Sequence, residues 1–127
     1  MSCPMIPIRV SIVTIAVLLA LLLTTFTHTP RAEASTLNTE VIASINVTFG
    51  AYAPQALRVA YCESGYNPFA YNRSSGASGV FQIIPGTWRG TSRAWSSPFS
   101  TWANVAAAHE IFVRDGNSWR EWTCKPW

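Results

Sequence analysis

Hydrophobic and polar positions fall into blocks of different character along this chain. Val10 to Leu23 is an apolar run broken only by Ser11 and Thr14. Further on, Ala56, Val59, Ala60 and Glu63 fall at i, i+3, i+4 and i+7, and Pro54 suits a first turn. A helix is therefore expected from Ala51 to Glu63, ended by Gly65. Between Tyr66 and Ser78, the pairs and triplets Asn67-Pro68, Ser74-Ser75-Gly76 and Ser78-Gly79 exclude a long helix and suit a small irregular β-hairpin. The apolar segment Val80 to Ile84 is stopped by Pro85-Gly86, and a short helix is expected within Thr87 to Trp95. Ser96-Ser97-Pro98 opens the last long element, about Pro98 to Arg114. Trp102, Val105, Ala106, Ile111, Phe112 and Val113 give it apolar bulk, and Asp115-Gly116-Asn117 ends it. The pattern predicts a mainly α domain with at most a minimal irregular hairpin.

The two ends change this picture. Met1 to Arg9 carries one positive charge, the apolar run follows, and Ala32-Glu33-Ala34 offers small residues at both positions a signal peptidase reads. Residues 1–34 are therefore expected to be a signal peptide. The competing reading, an uncleaved anchor, extends the run through Thr24, Thr25 and Phe26 toward spanning length. The polar Thr and His residues soon after Leu23 favour export, with no stable membrane insertion once the leader is gone. Ser35 to Gly50 is rich in Thr, Ser and Asn, lacks a sustained period, and reads as a linker or lead-in to a domain spanning residues 51–127.

With the leader set aside, Arg58, Arg73, Arg89, Arg93, Arg114, Arg120 and Lys125 face Glu40, Glu63, Glu110, Asp115 and Glu121. This mildly basic balance suits approach to a polyanionic cell-wall surface. It lacks the basic density that nucleic-acid binding needs. Cys3 lies in the leader, so Cys62 and Cys124 are the pair left, and two cysteines in an exported chain imply one disulfide. His109 has no Cys, His or Asp partner at ligand spacing, so neither a metal nor another cofactor is expected.

Candidate chemistry centres on Glu63. A general acid for glycoside cleavage must reach the bridging oxygen with its proton still on. The helical spacing sets Glu63 in line with apolar positions, where loss of water favours the protonated form of an acid. The loop behind it is rich in small residues that let a backbone approach a bulky polymer. Gln82 offers an amide to sugar hydroxyl or acetamido groups, and Tyr66, Tyr71, Phe81, Trp88 and Trp95 offer rings on which sugar faces pack. Glu110, Asp115 and Glu121 read as solvated charges, because nothing local places them across a groove from Glu63.

Glu63-Ser64-Gly65-Tyr66-Asn67-Pro68, then Ser75-Gly76-Ala77-Ser78-Gly79-Val80-Phe81-Gln82, then Ile84-Pro85-Gly86-Thr87-Trp88, resembles the pattern of lytic transglycosylases of the soluble (SLT) type, members of the lysozyme-like superfamily. Asn104-Val105-Ala106-Ala107-Ala108 is similar to the asparagine-led third element of that family, and the Trp119, Trp122, Cys124 ending is similar to small secreted bacterial versions. The resemblance implies a compact lysozyme-like fold, stapled here by the single disulfide. It implies cleavage of the β-1,4 bond between N-acetylmuramic acid and N-acetylglucosamine in peptidoglycan by a monomer outside the cell or at its wall.

By that resemblance Glu63 is the single catalytic acid and base, Ser64 and Gln82 hold it and the substrate, and Gly76 to Gly79 form the groove wall. Gly79, Tyr66, Phe81 and Trp88 count with them as substrate-binding residues. Where many relatives carry a tyrosine on the last helix, this chain offers Ile111 and Phe112, neither able to donate a hydrogen bond. Attack by the muramic 6-hydroxyl would give an anhydro product, and attack by water would give lysozyme-type hydrolysis. A reading from another class is a wall-binding module that has kept the scaffold and lost turnover; an intact Glu63 argues against it.

Overall fold

Pro30 opens the first helix of the computed structural model, which describes residues 30–127. The apolar run Val10 to Leu23 lies outside the described residues. Among the described residues no helix is long and apolar enough to cross a membrane. Helix α1 (Pro30–Phe49) leads through a 3-10 turn (Gly50–Tyr52) into α2 (Ala53–Ser64). A long irregular loop then reaches the short α3 (Pro85–Arg89), and α4 (Thr101–Arg114) precedes an irregular tail. One compact unit runs from Glu33 to Trp127.

Helix α1 corrects the reading of residues 35–50 as a linker. Its packing is carried by one apolar residue per turn: Val41, Ile45 and Phe49, at i, i+4 and i+8, are fully or almost fully buried. The residues between them are Ile, Ala, Ser, Asn, Val and Thr, several of middling helix propensity and only Ile42 of them a half-buried aliphatic, so the stripe is too narrow to stand out without the core it meets. Shaving one methylene from Ile45 (Ile45→Val) is expected to cost about 1 kcal/mol. Asn46→Ala on the exposed side should stay within about 0.5 kcal/mol. Thermal unfolding of the two variants checks this, since a linker would respond to neither.

The other helices form close to where the pattern placed them, for local reasons. Pro54 sits in the first turn of α2, and Gly65 ends that helix at φ 61°, its N–H returning to Tyr61 O. Helix α3 is shorter than expected, because Gly90 follows Arg89 at once. Helix α4 begins at Thr101 with Ser100 as its N-cap, the Ser100 side chain accepting from Ala103 N. The expected hairpin shrinks to two isolated antiparallel bridges, Tyr71 with Ser78 and Ser78 with Ile83, and no strand forms among the described residues.

Rings from distant parts of the chain meet in the core. Phe49 of α1 stacks on Trp119 of the tail at 5.5 Å between centroids and lies 5.7 Å from Phe81 of the loop. Phe112 of α4 reaches Trp119 at 4.7 Å, and Trp122 reaches Trp119 at 5.1 Å. Each such pair adds about 0.5–1.5 kcal/mol beyond its burial. The cluster also orients the tail, because each indole N–H is spent inward. Trp119 Nε1 donates to Gln55 Oε1 at 2.9 Å, and Trp122 Nε1 donates to Phe81 O at 3.0 Å.

Candidate active site

Glu63 occupies the last turn of α2, one residue after Cys62, whose disulfide to Cys124 brings in the tail from 62 positions away. The Cys124 backbone N–H donates to Glu63 Oε1 at 3.1 Å. The bridge and this hydrogen bond act together, one holding the tail against the helix end and the other fixing the carboxyl. Glu63 is half-buried, and its second oxygen makes no hydrogen bond to the described residues. Beside it opens a cleft of about 240 Å³, lined by Glu63, Asn72, Ser75, Gln82, Glu121 and Trp122 among others.

The loop forming the facing wall is held by side chains that the sequence alone could not assign. Asn104 of α4 is fully buried and uses its whole amide. Its Oδ1 accepts from Phe81 N at 2.8 Å, and its Nδ2 donates to Ser78 O at 3.1 Å and Pro98 O at 2.9 Å. Gly79 passes directly over this amide at φ 78°, and a Cβ there would lie 2.3 Å from both Asn104 Nδ2 and Pro98 O. That position admits only glycine for two separate reasons, steric and conformational. Three residues on, Gln82 takes φ 48°, a left-handed conformation for a side-chain-bearing residue. It is held there by Nε2, which donates to Ala70 O and Gly79 O, each at 3.0 Å. Strain of this kind persists only where surrounding bonds over-determine it.

Of the residues singled out in the sequence as catalytic or substrate-binding, Glu63 and Gln82 come together in this cleft, and of the Gly76 to Gly79 stretch read as groove wall, Ala77 lines it. Phe81 is corrected from groove wall to core, with its ring fully buried. Gly79 is buried against Asn104 and lines no part of the cleft. Ser64 turns its hydroxyl away, donating to Val80 O at 2.8 Å, and so ties the helix end to the loop. Tyr66 packs on Tyr61 at 5.4 Å; burial, and then the neighbouring Tyr61, push its phenol above the usual range. Trp88 is buried and lines a separate hollow with Gly76, Pro85 and Arg89. Tyr71 and Trp95 are exposed outside the cleft, and the aromatic side chain that does line it is Trp122.

Of the remaining carboxylates, Glu121 is exposed, as read, while Glu110 and Asp115 have partners within the protein. Glu110 accepts from Ser92 N and Ser92 Oγ, and Asp115 pairs with Arg120 at 3.1 Å. Glu121 lines the cleft that holds Glu63. No local signal marked it, because its position is set by the tail's long-range closure. Ile111 of α4, standing near where relatives carry a tyrosine, lines a second cavity that shares Gln82, Ile84, Glu121 and Trp122 with the first.

The arrangement is therefore a fixed carboxyl lining a trough, walled by a strained glutamine loop and a disulfide-tethered tail. Among the described residues no group of His, Cys, Asp and Glu is placed to hold a metal ion. No curated protein and no solved structure matches the chain. A family model described as the Transglycosylase SLT domain matches residues 40–124, a span that takes in the second half of α1, Glu63, Gln82, Asn104 and both bridged cysteines. The chain thus belongs to the transglycosylase SLT domain family, lysozyme-like peptidoglycan lytic transglycosylases that cleave glycan strands.

Proposed function

We propose that this protein is exported and cleaves the β-1,4 bond between N-acetylmuramic acid and N-acetylglucosamine, with Glu63 as its single acid and base and an anhydro sugar as product. The observation that carries the reading is the placement of Glu63, which lines the cleft with one oxygen fixed by Cys124 N–H. Glu63 gives its proton to the bridging oxygen as the C1–O bond breaks. The carboxylate so formed takes the proton of the muramic C6 hydroxyl, and O6 bonds to C1, so the glutamate ends as it began. Export is supported by the apolar run followed by Ala32-Glu33-Ala34 and by a disulfide that suits an oxidising compartment.

Mass spectrometry of the fragments released from peptidoglycan tests the product. Anhydro ends, lighter by one water than reducing ends, are expected throughout. Reducing ends would make the enzyme a hydrolase of the same bond, and absence of soluble fragments would remove the activity. Sequencing of the exported protein should begin at Ser35.

A further inference from the structure

The residues shared by the Glu63 cleft and the neighbouring cavity are Gln82, Ile84, Glu121 and Trp122. The side chains of this junction offer hydrogen-bond acceptors and no donor. Gln82 spends both Nε2 hydrogens on Ala70 O and Gly79 O, which leaves Oε1 alone to meet a ligand. Turning the amide over would set its carbonyl against two others, so this orientation is imposed. Trp122 spends its indole N–H on Phe81 O, and Ile84 presents only hydrocarbon.

Glu121 adds a negative charge that is barely compensated. Its nearest cation is Arg120, with 4.0 Å between Oε1 and Nε, and that guanidinium already pairs with Asp115 at 3.1 Å. Neither Lys nor Arg lines either cavity, whereas Glu63 and Glu121 do. Asn72, Ser75, Thr87 and Thr123 line other parts of the two cavities, but a ligand group that meets the four shared side chains finds acceptors only, and it meets repulsion if it is anionic.

We infer that Gln82 and Glu121 form an acceptor pair that selects sugar substituents by charge. The pair admits muramic residues whose lactyl group is amide-linked to a peptide, and it disfavours strands bearing the free lactyl carboxylate. Glu121 acts here as a specificity-determining residue. The inference rests on the peptidoglycan reading above, and it holds whether the acceptor is the 6-hydroxyl or water.

The test compares product release from intact peptidoglycan with release from the same strands stripped of peptides by an amidase, at low and high salt, for wild type and Glu121→Gln. Sedimentation with both glycans of the protein carrying Glu63→Gln reads the preference without turnover. The wild type should favour intact strands about 10-fold or more in kcat/KM at low salt, and the ratio should shrink as salt screens the charge. Glu121→Gln should bring the ratio toward one through a lower KM on stripped strands. Equal use of both substrates by the wild type, or an unchanged ratio in Glu121→Gln, would overturn the selector while leaving the enzymatic reading intact. The expected binding preference without product release would keep the selector and remove the catalytic reading.

Discussion

Glu63→Gln is expected to reduce release of muropeptides by at least about 10³-fold, because in the proposed mechanism one side chain serves as acid in the first step and base in the second, and each role contributes roughly 10²–10⁴-fold. The substitution is nearly isosteric. An amide oxygen can still accept from Cys124 N–H, now 3.1 Å from Oε1, so the tail should stay in place and the melting temperature should hardly move. Glu63→Asp separates the two duties of the residue. It keeps an acid but draws it back by one methylene from both Cys124 and the cleft, and should fall between wild type and Glu63→Gln. Chromatography of soluble fragments, with thermal unfolding run in parallel, checks both variants. A Glu63→Gln protein that retains its rate within tenfold would take Glu63 out of the mechanism.

Opening the disulfide should weaken the fold and the site together. The bridge joins positions 62 residues apart, and closing a loop of that size contributes roughly 4 kcal/mol in the chain-entropy model. It also carries the backbone N–H that holds Glu63, and the adjoining Glu121, Trp122 and Thr123 form one wall of the cleft. Cys62 is exposed, so a reductant has access to the bond. Other restraints on the tail persist. Lys125 Nζ donates to Trp119 O at 2.8 Å and to Trp122 O at 2.5 Å, and Arg58 Nη1 donates to Pro126 O at 2.9 Å. The reduced protein should therefore remain folded at low temperature with a lower melting point. Its activity should drop on the order of 10²-fold, the cost of displacing a catalytic group by about 1 Å. A Cys62→Ser, Cys124→Ser variant should match the reduced protein and ignore reductant. Full activity in that variant would show that the tail positions Glu63 without its covalent tie.

The legible parts of the sequence were those set within a few residues. Helix α2 followed from its apolar period, and its end from Gly65, which takes the left-handed conformation a cap needs. The stop of α4 lay in Asp115-Gly116 as expected, whereas its start, read at Ser96-Ser97-Pro98, falls at Ser100. The disulfide followed from there being two cysteines outside the leader. Helix α1 was not legible, since Val41, Ile45 and Phe49 form a sufficient packing stripe only opposite Phe81, Phe112 and Trp119. A stripe one residue wide is ambiguous until its partner surface exists.

The motif from Glu63 to Gln82 contained the right residues, but most of their duties belong to packing and loop support rather than to the cleft. Phe81 fills the core, Gly79 makes room for Asn104, and Ser64 ties the helix to the loop. Local order along the chain could name the family, because helix period, cap and turn chemistry act between neighbours. It could not say which carboxylate besides Glu63 reaches the cleft or which glutamine atom faces it. Those follow from contacts between residues 12 to 61 positions apart, Cys124 to Glu63, Gln82 to Ala70 and Asn104 to Phe81, which exist only once the chain has closed on itself.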